Sequence, residues 1–367
     1  MINMLKEEKT KKDFLNIDLS IGGTGLGDRA LLAKYLAVMQ QSGLTITESL
    51  DIIQETARGR MKKIITAVNK SVEAGNSLAD SFGRFPKVFS GIFISAVYAG
   101  ENSGTLSENL QHLADQLQKE KELSSKIKGA MLYPIVVLIA AFILGMGMSF
   151  LILPKITPLF EGLKTELPFT TRALISFSHF VANNTFGLFV GIILGVAVLL
   201  ALLKANFSRP VTNWLLLKIP IVKKIVINTN LARFSRTLGT LLKSGLNIDE
   251  ALQITSQTVS NYYYQKALLE IGERVSKGSH LSASMENYKK LFPKMVSRMV
   301  LVGEQSGNLE GTLIYLAEFY EVEVDNSTKN LSTAIEPILL LIIGLVVGFL
   351  ALSIITPIYN ITGNIHQ

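Results

Sequence analysis

Two acidic residues stand in matching settings. Glu101 lies in AGENSGTL, which begins at Ala99, and Glu304 in VGEQSGNL, which begins at Val302. Gly100, Ser103 and Gly104 surround the first, and Gly303, Ser306 and Gly307 surround the second. Two chemistries fit a carboxylate in such a GExSG element. It contacts a partner or binds a cation at the surface, or it caps and pairs within its own turn, since acids at helical turns commonly accept backbone N–H groups. The structural reading is favoured.

Other chemistry is poorly supplied. The chain has no cysteine, which removes disulfides, thiolate metal sites and cysteine nucleophiles. His112, His179, His280 and His366 are isolated from one another, and none has a metal-ligand spacing. No GxxxxGK[ST], HExxH or GxSxG pattern occurs, so neither phosphate-loop hydrolysis nor the common hydrolase chemistries are indicated. The glycine run Ile21–Gly27 (IGGTGLG) lacks the preceding strand and the spaced acid of a dinucleotide loop. It reads as a lead-in to the first helix. The sequence predicts neither an enzyme nor a bound cofactor or metal.

The elements that hold the two acids come in duplicate. SGLTITESL begins at Ser42 and SGLNIDEAL at Ser244, and FPK occurs at Phe85 and Phe292. From Gly100 and Gly303 through Pro134 and Pro337 to Pro154 and Pro357 the offset is a constant 203. Such a period is too long for a solenoid repeat. It describes a duplicated unit, a helical domain followed by one apolar stretch. The FPK pairing implies an insertion near Tyr288–Leu291, offset by a deletion after Pro293.

Both domains read as helical. Leu32, Leu36 and Met39, and Phe234, Leu238 and Leu241, fall at helical spacing, followed in the first copy by Ile46, Leu50 and Ile53. Thr45-Ile-Thr-Glu48 is a capping box, and Asn247-Ile-Asp-Glu250 repeats it with Asn as cap. Gly43 and Gly245 suit left-handed helix ends. Thr105 caps the helix after the first GExSG element, and Leu106, Leu110, Leu113 and Leu117 line its buried face. Ordinary helix lengths leave room for about six helices per domain.

Mean hydropathy is +0.35, and the excess is concentrated in three uncharged blocks, Met131–Leu153, Thr185–Leu203 and Pro337–Tyr359. A bilayer span needs ~20 apolar residues. The expected fold is an all-α integral membrane protein with two homologous cytoplasmic helical domains and three transmembrane helices. Residues 1–28 form a flexible N-terminal segment without a cleavable signal, 29–130 the first domain and 131–153 the first span. Residues 154–184 form an outer loop, 185–203 the second span and 204–334 the second domain. The third span takes 335–359, and 360–367 form an outer tail. Pro134 and Pro337 are expected as structural turns at the span entrances.

The net charge of +7 does not indicate nucleic acid, because neither domain has a basic stripe interleaved with aromatics. Basic residues instead flank the spans, at Lys119, Lys121, Lys126 and Lys128 and at Lys204, Arg209, Lys218, Lys223 and Lys224, where an anionic inner leaflet attracts them. Only Lys155, Lys164 and Arg172 lie between the first two spans. The positive-inside rule then puts both domains and the N-terminus in the cytoplasm and the C-terminus outside. The unmatched middle span returns the chain, so the repeats are parallel rather than inverted. Gly187, Gly191 and Gly195 make a double GxxxG on the second span, and Gly344 and Gly348 another on the third, which suits close helix packing.

FSRTLGTLLKSGLNIDEAL, the two GExSG elements, the FPK elements and the proline-led spans resemble the type II secretion F / PilC family over about residues 28–360. The stretch before Asp28 is shorter than in many members. The resemblance implies an inner-membrane platform protein of type IV pilus, type II secretion or competence machinery. It implies a homo-oligomer that engages a hexameric assembly ATPase, other inner-membrane assembly proteins and pilin or pseudopilin subunits. On that analogy the GExSG turns face the ATPase, and the glycine faces pack against other copies or pilins. The alternatives are a subunit of a membrane transporter or a membrane-anchored signalling scaffold. The spans are nearly devoid of the polar residues a pore needs, and no signalling motif occurs.

Overall fold

The computed structural model describes residues 24–147 and 208–364, with isolated helical positions between 169 and 198. The middle span, the 154–184 loop and the end of the first span therefore lie largely outside the described residues, as does the segment before Thr24. Among the described residues there is no strand. The first copy is built from α1 (Leu26–Gln41), α2 (Ile46–Thr56), α3 (Gly59–Glu73), α4 (Leu78–Gly83), α5 (Gly91–Ser103) and α6 (Leu106–Gly147). After α7 (Arg209–Lys218) the second copy follows with α8 (Pro220–Lys243), α9 (Ile248–Thr258), α10 (Tyr262–Val275), α11 (Leu281–Met285), α12 (Lys294–Ser306) and α13 (Leu309–Asn364).

Local chemistry sets these boundaries. α1 ends in a Schellman turn, with Leu44 N–H bonded to Met39 O at 3.1 Å and Gly43 N–H to Gln40 O at 3.0 Å. α8 ends in the same way, through Leu246 to Leu241 and Gly245 to Leu242. Gly43 and Gly245 have φ of 87° and 85°, a conformation that costs glycine nothing and other residues a Cβ clash. The Thr45 capping box is present: Glu48 N–H donates to Thr45 Oγ1 and Thr45 N–H to Glu48 Oε2. The second copy differs from expectation. Asn247 is the N-cap of α9, but its side chain makes no capping hydrogen bond.

The two copies shift in register by only a single residue. Corresponding positions differ by 202 through α1–α2 and α8–α9 (Gly43, Gly245) and by 203 from α4 and α11 onward (Gly104, Gly307). This corrects the pairing drawn from the FPK tripeptides. Phe89 N–H bonds to Phe85 O, and Phe292 N–H bonds to Tyr288 O. Phe292 thus corresponds to Phe89, not Phe85, and no insertion near Tyr288–Leu291 is needed. Burial agrees, since Phe89 and Phe292 are both core residues while Phe85 is only partly buried. Phe82, Phe89 and Phe93 form an aromatic cluster with centroids 4.6–5.0 Å apart. Phe234, Tyr264 and Phe292 take that role in the second copy, each contact spanning 5.5 Å.

The chain divides into two compact units. The first takes its described residues from Met1–Ser124 and Ile227–Val322, so it unites the helical parts of both copies. The second takes Ser125–Val226 and Glu323–Gln367. In the second unit, Lys126 and Lys329 reach Asp325 at 3.7 and 2.8 Å, and Lys224 reaches Glu323 at 3.5 Å.

α6 and α13 are long and apolar enough to cross a membrane, and only 6% and 12% of their most apolar stretches is buried in protein. A soluble core helix of that composition would be covered. Forty-two and 56 residues correspond to about 63 and 84 Å of helix, more than the ~30 Å of a bilayer core. α13 continues to Asn364, beyond the expected end at Tyr359.

Pro134 and Pro337 are not turns. Both lie inside continuous helix. Proline removes one hydrogen bond and crowds the preceding turn. In an apolar stretch, leaving the helix would expose several more backbone groups with no water to satisfy them. The single defect is the smaller cost.

Candidate functional site

The GExSG elements build a latch. Gly100 and Gly303 lie buried inside α5 and α12. A Cβ on Gly100 would sit 2.8 Å from Leu106 Cα, and one on Gly303 would sit 2.9 Å from Thr312 Oγ1 and 3.1 Å from Leu309 Cα. Glycine here lets one helix approach the start of the next. The helix ends four residues later, at Gly104 (φ 71°) and Gly307 (φ 67°).

Between them the glutamate points to a different helix. Glu101 Oε1 accepts Leu78 N–H at 2.6 Å and Oε2 accepts Ala79 N–H at 2.8 Å. Glu304 accepts Leu281 N–H at 2.6 Å and Ser282 N–H at 3.2 Å, with Ser282 Oγ added at 2.5 Å. Each carboxylate therefore caps the first turn of α4 or α11, satisfying orphan N–H groups and opposing the positive end of the helix dipole. The sequence placed the cap within the glutamate's own turn; the partner lies more than twenty residues upstream. Ser103 Oγ donates to Ala99 O at 2.6 Å, and Ser306 Oγ to Gly303 O at 3.4 Å, which closes the last turn of α5 and of α12.

The two latches also differ at the residue before the capped helix. Ser77 caps α4 by accepting Asp80 N–H at 3.0 Å. His280 occupies that position before α11 and makes no side-chain cap; its Nδ1 lies 3.8 Å from Glu304 and its side chain is exposed. Among the described residues no group of three or more His, Asp or Glu is arranged to hold a metal ion.

A second feature escaped sequence reasoning. α6 of the first copy packs along α8 of the second through polar groups. Arg233 holds Glu120 through two bonds of 3.0 and 2.5 Å. Gln116 donates to Thr237 Oγ1 at 3.2 Å and accepts from Thr240 Oγ1 at 3.3 Å. Arg236 binds Glu321 of its own copy at 2.9 and 3.0 Å. Gln116, Thr237 and Thr240 are buried, so their mutual hydrogen bonds remove a cost that burial alone would impose. Beside this seam, α9 packs on α5. His112 lies next to it, where burial first and Lys243 second hold its imidazole below the usual value. The available signal was compositional, a buried-stripe helix carrying Arg233, Arg236, Thr237 and Thr240.

Gly187, Gly191 and Gly195 are helical, as are Gly344 and Gly348. Among the described residues no atom lies within 4 Å of a Cβ built on any of the five, so no described contact uses these faces. α1, α2 and α3 frame a groove of about 500 Å³ lined by Asp28, Leu31, Tyr35, Ala57, Arg58 and Met61.

Comparison with known proteins follows the same division into copies. The family model described as type II secretion system (T2SS), protein F matches residues 32–154 and 234–357. A type IV pilus assembly protein PilC of Thermus thermophilus is 35% identical over 351 residues, covering 94% of this chain and 84% of that protein. PilC of Pseudomonas aeruginosa is 33% identical over 340 residues, covering 92% and 90%. A type II secretion system protein F of Aeromonas hydrophila is 31% identical over 361 residues, covering 98% and 92%.

Proposed function

The chain belongs to the type II secretion system protein F family, and on that premise we propose that it is an inner-membrane platform protein of a type IV pilus, type II secretion or related competence machine. The observation that carries the reading is the doubled helical unit, each copy matched by the family model and each running into an exposed apolar helix. The platform does no chemistry of its own. It couples a hexameric cytoplasmic ATPase to the insertion of pilin-like subunits into a filament.

In this reading the chain crosses the membrane three times, with two domains of six helices in the cytoplasm and the C-terminus outside. Helix α7 supports the membrane placement. None of its residues is buried, Val211, Trp214 and Leu215 are exposed, and Lys218 lies 4.5 Å from the Trp214 ring. Tryptophan and basic side chains of that kind suit a membrane–water interface. The surfaces beside the latches, with exposed Tyr98 and Val302, are offered to the ATPase. Gly100, Glu101, Ser103 and Gly104, and Gly303, Glu304, Ser306 and Gly307, hold those surfaces in place. The exposed glycine faces of the spans are left for pilins or further copies of the chain.

The test is a deletion strain scored for surface filaments, secreted proteins and DNA uptake, with complementation by the intact gene. Loss of at least one, restored on complementation, is expected. Normal behaviour in all three overturns the reading, as would ATP hydrolysis by the purified chain alone.

A further inference from the structure

The copies bind each other through faces that each also possesses in an unused form. The first copy presents α5 and α6, and the second receives them on α8 and α9. Corresponding surfaces exist at the other two ends. α12 and α13 repeat the presenting face, and α1 and α2 repeat the receiving one.

On the receiving side, Arg233, Thr237 and Thr240 bond across the seam, and Ile254 is on α9, the helix that packs on α5; all but Arg233 are buried. Their equivalents under the 202 offset are Leu31, Tyr35, Val38 and Ile52, which are 46%, 40%, 48% and 41% exposed. On the presenting side, Ile92 and Gln116 are buried at 4% and 7% exposure, yet Ile92 stands outside the first copy's core. Their equivalents under the 203 offset are Met295 and Phe319, exposed at 44% and 37%, with Tyr315 beside them at 58%. Isolated exposed apolar residues need no explanation. Here they recur at the positions whose counterparts are covered.

The chemistry is matched around Gln116 but not at the Arg233–Glu120 ion pair, whose equivalents are Leu31 and Glu323, the latter bound to Lys224. Inside the chain the seam is polar on both sides, Gln116 against Thr237 and Thr240. In the unused faces it is apolar on both sides, Phe319 against Tyr35 and Val38. The neighbouring contact also converts consistently. Gly91 lies beside Gln257, with 3.6 Å from its built Cβ to Gln257 Oε1. The equivalents of that pair are Lys294 and Glu55, opposite charges, both exposed.

We propose that chains associate head to tail, the α12–α13 face of one chain seated on the α1–α2 face of the next in the geometry of the internal seam. The contact is heterologous, so it adds copies in one direction until the rotation closes. It deepens the self-association included in the function above and rests on that reading only for a second copy as the occupant. The match of two free faces to one observed interface is what selects that occupant over an unrelated protein.

The chain has no cysteine, which makes the test clean. Two differently tagged full-length chains, one Tyr35→Cys and one Phe319→Cys, are co-expressed and their membranes treated with a short bis-maleimide. An adduct carrying both tags is expected, with no dimer from either variant alone. A chain carrying Gln116→Cys and Thr237→Cys should cross-link internally and serves as the control. If the control links and the mixed pair does not, the proposal is overturned; self-pairing of Tyr35→Cys chains overturns it by showing a symmetric contact. Native mass measurement of the wild-type chain in lipid particles tells the failures apart. Oligomers without the adduct mean another face, and monomers mean that self-association itself is wrong. In the cysteine-free chain, Phe319→Glu should lower the oligomer mass seen by native measurement, and adding Tyr35→Lys should restore it.

Discussion

Replacing Glu304 by alanine should destabilise the helical unit more than replacing Glu101. Glu101→Ala strips acceptors from Leu78 N–H and Ala79 N–H. Both residues are nearly fully buried, so water reaches these amides poorly. A buried donor left without a partner costs ~1–3 kcal/mol. Partial exposure of the carboxylate places each near the lower end, giving about 2 kcal/mol for the pair. Glu304→Ala strips three donors, Leu281 N–H, Ser282 N–H and Ser282 Oγ, and α11 lacks the side-chain cap that Ser77 gives α4. About 3 kcal/mol follows on the same basis.

For a body of this size each kcal/mol moves Tm by roughly 2–4 °C, so drops of about 4–8 °C and 6–12 °C are expected for the two variants. The assay is thermal unfolding of the full chain in detergent, paired with hydrogen exchange on peptides covering residues 76–83 and 279–286. Faster exchange should be confined first to those peptides. The glutamine variants, which keep one acceptor oxygen, should fall between wild type and alanine. Equal Tm values for wild type and both alanine variants, with exchange unchanged at the two helix starts, would refute the latch. So would a Glu101→Ala effect larger than that of Glu304→Ala.

Gly100→Ala should cost ~1–3 kcal/mol, because its Cβ meets backbone that cannot move aside. Gly272→Ala, whose nearest contact is 3.6 Å away, should instead stabilise α10 by ~0.5–1 kcal/mol; calorimetry separates the two. Arg233→Ala should cost ~2 kcal/mol, between the values of exposed and buried pairs, since its side chain and that of Glu120 are 16% and 24% exposed. The swap of Arg233→Glu with Glu120→Arg should recover part of it in a double-mutant cycle. His112 should make stability pH-dependent. Its folded value is depressed, so the unfolded chain binds the proton first and stability is lost as pH falls from the unfolded value of ~6.5. Unfolding of His112→Gln followed between neutral and mildly acid pH should show a shallower slope.

What could be foreseen divides by range. The Thr45 box and the Gly43 and Gly245 turns were legible because donor, acceptor and backbone strain all lie within six residues. Asn247 shows the limit of even that, since the same spacing gives the helix start without the side-chain bond. Pro134 and Pro337 misled because proline stops helices where water can take the freed backbone groups, and these helices run on where it cannot. The FPK tripeptides misled because identity of three letters outweighed the 203 register, which the left-handed glycines and the hydrogen bonds of Phe89 and Phe292 make visible.

The two acids were found but the helix starts they cap were not. A motif marks a residue, and it does not mark the helix start some twenty residues away that the residue serves. The seam between α6 and α8 was further out of reach, since it joins residues more than a hundred apart. Yet once the register is known the sequence does carry it. Where the internal seam sets Gln116 of the first copy against Thr237 and Thr240 of the second, the unused faces have Phe319 of the second copy and Tyr35 and Val38 of the first, so duplicate surfaces have diverged in polarity together. Divergence on both sides of an unused interface is hard to reconcile with two idle solvent faces. Polar replacement would lower the cost of exposure there, and the chain has apolar side chains instead. The duplicated unit thus supplies two docking pairs from one design, a polar pair that closes within the chain and an apolar pair that opens toward the next.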